Sequence, residues 1–399
     1  MFSHVDAYPG DPILGLNEAF GQDPRPHKVN LSIGIYFDDD GRLPVMRAVR
    51  EAEHSVLADI GPRPYLPMAG SAAYRDAVQA LVFGDDSPAR RDARIATLQT
   101  LGGGGALRVG ADFLKRYFPD ATVWISDPSW DNHRVVFESA GFPVQAYPYY
   151  DEATGGLRFD AMLATLASLP PRSIVLLHAC CHNPTGVDLD RSQWEALVPV
   201  LRERGLIAFV DMAYQGFGDG LDADAFAVRA LTDASVPTVV ANSFSKNFSL
   251  YGERCGALSV VCDSAQEAGR VFGQLTGTVR ANYSNPPTHG ARLVAQVLTT
   301  PTLRRQWEEE LDGMRRRIAA MRAQIHAQLA PHVQGEKLAR YLAQRGMFTY
   351  TGLSAAQADA LRETHGVYVL RSGRMCVAGL NTRNVGTVAD AIAEVLATG

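Results

Sequence analysis

The sequence predicts an α/β fold, a mostly parallel sheet between layers of helices with a smaller α+β unit beside it, from three observations. From about residue 94 short apolar runs alternate with helical patterns, as strands and crossover helices do in a parallel sheet. Each apolar run ends at a cluster of polar residues. A long amphipathic segment follows, and beyond Pro331 the pattern shifts to short strand-like runs around one helix.

In chain order, "RIATLQT" (94–100) reads as a strand, "LGGGG" as a turn, and "ALRVGADFLKRYF" as a helix in which Leu107, Gly110, Ala111 and Leu114 keep a helical period. The runs "TVWIS" (122–126), "SIVLLHA" (173–179), "LIAFV" (206–210) and "PTVVAN" (237–242) read as further strands. They end at "DPSWDNH", "CCHNPTG", "DMAYQGF" and "SFSKNF". Ligands of open α/β sheets sit outside the carboxyl ends of the strands, so these clusters are expected to converge. Leu303, Trp307, Leu311, Met314, Ile318, Met321 and Ile325 step by three or four and predict one connecting helix over about 302–330, roughly 40 Å long. The expected organisation is an arm and part of a small domain over 1–36, a large domain over 37–312, and the rest of the small domain over 313–399.

Composition narrows the partners. Lys and Arg number 38 against 43 Asp and Glu, a net charge of −5, which offers no attraction for nucleic acid or an anionic membrane. No apolar run approaches the roughly 20 residues of a membrane helix, and the N-terminus lacks an export pattern. Five cysteines without framework spacing fit a reducing compartment, and a cytoplasmic protein is expected.

Single motifs leave alternatives open. Gly102 to Gly105 ahead of a helix is either a phosphate cradle or a tightly packed turn, and it fits neither the dinucleotide fingerprint nor a P-loop. His178, Cys180, Cys181 and His182 invite a zinc reading, yet alternation offers only His178, Cys180 and His182 on one face, with no second ligand cluster; packing is the better reading and no metal is expected. Asp211 is a cap or a partner for a buried cation, Trp130 a core aromatic or a stacking surface, and Arg254 and Arg374 are ion-pair members or anion grips. Lys246, at the end of a buried strand, needs a partner or a reaction. Taken together, the set suits one ligand, a phosphorylated pyridine aldehyde: the cradle and Arg254 for the phosphate, Trp130 for the ring face, Asp211 for the ring nitrogen, Lys246 for the aldehyde.

The stretches "SFSKNFSLYGERCGALSVV", "CCHNPTGVDL", "DMAYQGF", "DPSWDNH", "RANYSNPP" and "SGRMCVAGL" resemble the class I aminotransferases of the aspartate and aromatic subgroup, and the likeness runs from "VDAYPGDPILGL" to "VAGLNTRNV". The resemblance implies pyridoxal phosphate as cofactor, the fold type I architecture with a seven-stranded sheet, and a homodimer with shared active sites. It implies Lys246 as the lysine joined to the cofactor and as the proton-transferring base, Asp211 on the pyridine nitrogen with His133 and His178 behind it, and Tyr214 and Asn183 on the ring hydroxyl. Ser243, Ser245, Arg254 and the amides of Gly103 and Gly104 would hold the phosphate, joined by Tyr65 of the neighbouring subunit. Arg374, helped by Gly34, Asn183 and Trp130, would take the substrate carboxylate, and the partner subunit's Arg280 its far end. Many relatives carry Thr or Ser at the place of Gly104, so one hydroxyl contact is missing here.

The implied reaction is transamination of tyrosine and phenylalanine, and also of glutamate and aspartate, with 2-oxoglutarate as acceptor. An aspartate-specific enzyme, a β-eliminating enzyme and a non-catalytic protein of the same fold are the alternatives. Phe37, Leu43 and Pro64 stand where aspartate-preferring relatives carry Lys, Thr and Asn, and are expected to form an apolar wall for an aromatic ring.

Overall fold

The computed structural model describes residues 1–58 and 61–397. Its centre is a seven-stranded sheet of β1 (Ile95–Leu101), β2 (Val123–Asp127), β3 (Val144–Pro148), β4 (Ile174–His178), β5 (Ile207–Met212), β6 (Thr238–Ser243) and β7 (Cys255–Val261). The spatial order is β1-β7-β6-β5-β4-β2-β3. Only β7 runs antiparallel to its neighbours.

β4 and β5 are buried along their whole length, which is why they read as unbroken apolar runs. Their alternate residues feed different layers: Val175, Leu177, Ala208 and Val210 join one apolar cluster, Ile174, Leu176, Ile207 and Phe209 the other. The register pairs His178 with Asp211 and Met212 with Asn242, so the carboxyl ends of β4, β5 and β6 lie side by side. That alignment brings the polar clusters together.

Two strands of this sheet are not apparent in the sequence pattern. β3 lies at the sheet edge with only Val144 and Tyr147 buried, too few for a periodic signal. β7 is wholly buried and returns antiparallel after the turn at Tyr251–Glu253. Its Gly256 is pressed against the backbone of Gly102 and Asn242, where a side chain would collide.

The connecting helix spans Pro301–Leu329 without a break, and all seven apolar residues expected on its inner face are buried. Beyond it, Phe348–Tyr350 pairs antiparallel with Arg374–Cys376. Val367–Tyr368 pairs in parallel with Val29–Asn30, so the N-terminal segment is tied to the C-terminal part. An unpredicted helix, Pro12–Gln22, starts at Asp11, whose carboxylate caps the amides of Ile13 and Leu14 at 2.8 Å. Among the described residues no helix is long and apolar enough to cross a membrane.

Candidate active site

A cavity of about 650 Å³ opens at the carboxyl ends of β4, β5 and β6, and its walls come from segments far apart in the chain. Gly34, Gly103, Gly104, Trp130, Asn183, Asp211, Tyr214, Ser243, Ser245, Lys246, Arg254 and Arg374, all anticipated from the sequence, line it.

At one end lies an anion cradle. The helix Gly102–Tyr117 begins after Leu101, which supplies no side-chain cap; the Gly102 amide donates to the Arg254 carbonyl at 3.0 Å, and Gly103 and Gly104 of the same first turn line the cavity. Ser243 and Ser245 border the same space, and Arg254 donates from Nη1 to Ser245 Oγ at 3.3 Å. A Cβ at Gly102 would meet Arg254 Nη2 at 2.6 Å and one at Gly103 would meet Ser243 Cβ at 3.1 Å. Gly102, with φ of 67°, favours glycine on backbone grounds as well, and Gly103 leaves little room for a side chain. Gly104 has open space around its would-be Cβ, so the missing hydroxyl at this place is not imposed by crowding.

The middle of the cavity holds the charge pair. Asp211 is buried at the end of β5, and its Oδ2 accepts from His133 Nε2 at 2.9 Å, while His133 Nδ1 lies 2.9 Å from Ser129 Oγ. A carboxylate can only accept, so the proton sits on Nε2. Burial alone would raise the Asp211 carboxyl, but the His133 hydrogen bond and nearby positive charge, Lys246 included, bring it below its ordinary value. Asp211 is thus an anion at neutral pH with one oxygen committed to His133. Lys246 Nζ lies 4.9 Å from the centre of the Tyr214 ring. Burial brings the Lys246 ammonium down to about 8, opposed by Asp211 and reinforced by Arg254 and Arg374. About a tenth is therefore neutral amine at pH 7, the form a nucleophile or base requires.

At the other end Arg374 donates from Nη1 to Asn183 Oδ1 at 3.1 Å and from Nη2 to the Ser32 carbonyl at 2.6 Å, with its guanidinium 4.5 Å from the Phe348 ring centre. Among the described residues its Nε is buried without a partner, leaving donor capacity that suits a carboxylate. Gly34 packs so closely on Phe348 that a Cβ would come within 2.8 Å of Cζ.

His178 does not line the cavity. It lies behind, 5.2 Å from the His133 ring, with both nitrogens unpartnered, and burial pulls it down to about 3, so it is neutral. His182 instead bridges Ser126 and Thr185, which removes it from the metal set considered above. Tyr65 and Arg280 are exposed and outside the cavity, Arg280 bonding Ser284.

Phe37, Leu43 and Pro64 do not line the cavity either. Phe37 borders a separate cavity that shares Ile33 and Ile35 with this one, and Leu43 is 43% exposed. Ile13, Leu14, Ile33, Ile35 and Phe348, none of which the sequence pattern singles out, are among the apolar residues that line the Lys246 cavity instead. The pair Asp11-Pro12, a cap followed by proline at the first helical position, could have flagged the segment carrying Leu14. Tyr251, whose hydroxyl accepts from the Tyr36 amide at 3.0 Å, was missed as well.

An amine, a carboxylate and an anion cradle in this order fit a phosphorylated pyridine aldehyde, as the donor set requires. Residues 26–392 match the family model for aminotransferases of class I and II. The chain is 57% identical over 397 residues to the aromatic-amino-acid aminotransferase of Escherichia coli (strain K12), covering 99% of this chain and 100% of that one. It is also similar to a crystal structure of an aromatic amino acid aminotransferase from Burkholderia cenocepacia J2315, at 72% identity and a TM-score of 0.97 over 100% of both chains. A second similar structure, at 55% identity and a TM-score of 0.96 over 99% of both chains, is the aromatic-amino-acid aminotransferase from Burkholderia pseudomallei covalently bound to pyridoxal phosphate. The chain belongs to the class I and II aminotransferases.

Proposed function

We propose that this chain catalyses pyridoxal-phosphate-dependent transamination of tyrosine and phenylalanine, and of glutamate and aspartate, with 2-oxoglutarate as the acceptor. The observation that carries the reading is the placement of Lys246, Asp211 and Arg374 around one cavity, with an anion cradle at its end. When bound, the cofactor supplies an electron sink for the pair left at the substrate α-carbon. The chain's own residues do the rest. Lys246, as a neutral amine, takes the α-proton and returns it on the other side of the exchange. Asp211, kept ionised by His133, holds a proton on the ring nitrogen. The first-turn amides, Ser243, Ser245 and Arg254 fix the phosphate, Trp130 covers the ring, and Tyr214 and Asn183 take its hydroxyl. Arg374 orients the substrate carboxylate as a bidentate fork.

The aromatic preference is supported by the wall of Ile13, Leu14, Ile33, Ile35 and Phe348. Burying a ring there stabilises the complex by roughly 1.5 to 3 kcal/mol, about one to two powers of ten in specificity. A panel of donors assayed with 2-oxoglutarate tests this. Tyrosine and phenylalanine are expected to have kcat/KM at least equal to that of aspartate; an enzyme that ignores both is aspartate-specific.

The enzyme is further proposed to be a cytoplasmic homodimer, with the large domain over 37–312 and the small domain over 1–36 and 313–399. Tyr65 is 91% exposed and Arg280 is exposed too, which suits residues that serve a neighbouring subunit's site. Mixing inactive Lys246→Ala with Arg280→Ala is then expected to restore part of the activity toward dicarboxylic donors, because one site of each hybrid has both native residues. No recovery despite demonstrated subunit exchange means that Arg280 acts within its own chain or not at all.

A further inference from the structure

The adjacent thiols at the end of β4 take no part in the chemistry above. We propose that Cys180, Cys181 and Asp224 form a binding site for a soft divalent cation of the zinc and cadmium class, and that its occupancy weakens substrate binding through the neighbouring Asn183.

Both sulfurs and a carboxylate oxygen of Asp224 lie within 4.8 Å of one another, and all three residues are buried. Consecutive residues of an extended chain point to opposite faces, but Cys181 has φ of 53°, which breaks the alternation and lets both sulfurs approach Asp224. Cys181 is backed by Gly346, where a Cβ would lie 2.6 Å from Sγ. Cys180 and Asp224 line a cavity of about 390 Å³ whose walls also include the exposed Asp190 and Arg191, giving a path from solvent.

A second observation points to a cation. Asp188 borders the same cavity, and neither it nor Asp224 has an ion-pair partner among the described residues. Five backbone amides hold the two carboxylates: those of Cys181 and His182 on Asp188 at 2.7 Å, and those of Gly216, Gly218 and Asp219 on Asp224 at 2.7, 3.0 and 2.8 Å. Arg345 and Arg191 line the same cavity, but Arg345 pairs with Asp219 at 3.4 Å and Arg191 lies over the Phe226 ring, 3.9 Å from its centre; the buried Arg322 donates to the Gly346 carbonyl at 2.8 Å.

Thiolates select borderline and soft cations over calcium or magnesium. Binding forms two metal–sulfur bonds and releases both thiol protons to solvent; two thiolates and one carboxylate then surround the dication, and a water in the cavity takes the fourth position. Tetrahedral bonds of about 2.3 Å set the sulfurs roughly 3.8 Å apart. That constraint acts on the segment 180–183, where the Cys181 and His182 amides are tied to Asp188 and Asn183 Oδ1 accepts from Arg374.

The test is a cadmium titration of the holoenzyme under a phosphine reductant, followed by ultraviolet metal–thiolate absorption. One equivalent per chain is expected. Cys180→Ser should weaken binding at least tenfold and abolish the band, while Cys262→Ser should leave both unchanged. X-ray absorption at the metal edge of the wild-type complex should show two sulfur neighbours, and an all-oxygen or nitrogen shell, or a band that persists in Cys180→Ser, overturns the site. Occupancy should lower kcat/KM for tyrosine at least threefold in the wild type and not in Cys180→Ser. The effect on kcat/KM rests on the role proposed for Arg374, whereas the spectra do not; full occupancy with unchanged kcat/KM overturns the coupling to Asn183.

Discussion

Replacing Lys246 by alanine is expected to lower transamination by about 10⁴-fold or more while the protein still retains pyridoxal phosphate non-covalently. The two effects separate because different residues produce them. The cradle at the start of Gly102–Tyr117, with Ser243, Ser245 and Arg254, is intact in the variant, so an anionic group remains held. What is lost is the buried amine whose pKa is brought down to about 8, the group in this cavity that can act both as nucleophile and as base. Turnover of tyrosine with 2-oxoglutarate and cofactor content after gel filtration check the two halves. A variant that keeps a hundredth of the wild-type rate without added amine shows that Lys246 is not the proton-transferring base.

Asp211→Ala is expected to be nearly as severe, about 10³-fold in kcat, the scale of losing one preorganised electrostatic partner in a water-poor site. The carboxylate stands between His133 at 2.9 Å and the cavity, and its removal leaves His133 Nε2 buried without an acceptor as well as the ring nitrogen without its anion. Asp211→Glu keeps the charge and should lose far less, provided the longer side chain can still reach His133. Steady-state rates for both variants, with cofactor saturation verified, make the comparison. Equal losses for alanine and glutamate would mean that geometry rather than charge is what Asp211 contributes.

Much of the fold was legible because buried parallel strands leave unbroken apolar runs that stop abruptly at polar residues; the run from Ile207 to Val210 that stops at Asp211 is the clearest case. The connecting helix was legible for the opposite reason, its one-sided period surviving over 29 residues. The edge strand Val144–Pro148 and the helix Pro12–Gln22, which buries none of its residues, carry too little apolar patterning to be seen. In the site, the polar residues at strand ends were found because their position follows from local sequence. The apolar wall was not, because it depends on long-range return of the chain. Phe348 reaches the cavity only through pairing of its strand with Arg374–Cys376, and Ile33 and Ile35 only through the tie of Val29–Asn30 to Val367–Tyr368. Phe37, two residues beyond Ile35, was misassigned to the wall for the same reason: the segment carries Ile33 and Ile35 between two cavities, and Phe37 borders the outer one.

The most direct test of the central claim is a pair of half-reactions followed by visible absorption on the purified holoenzyme. Tyrosine added alone should bleach the cofactor's long-wavelength band stoichiometrically, 2-oxoglutarate added afterwards should restore it, and neither change should occur in Lys246→Ala on the same timescale. A band that stays constant with tyrosine, or one that bleaches and does not return with the oxo acid, contradicts reversible amino-group exchange at this site.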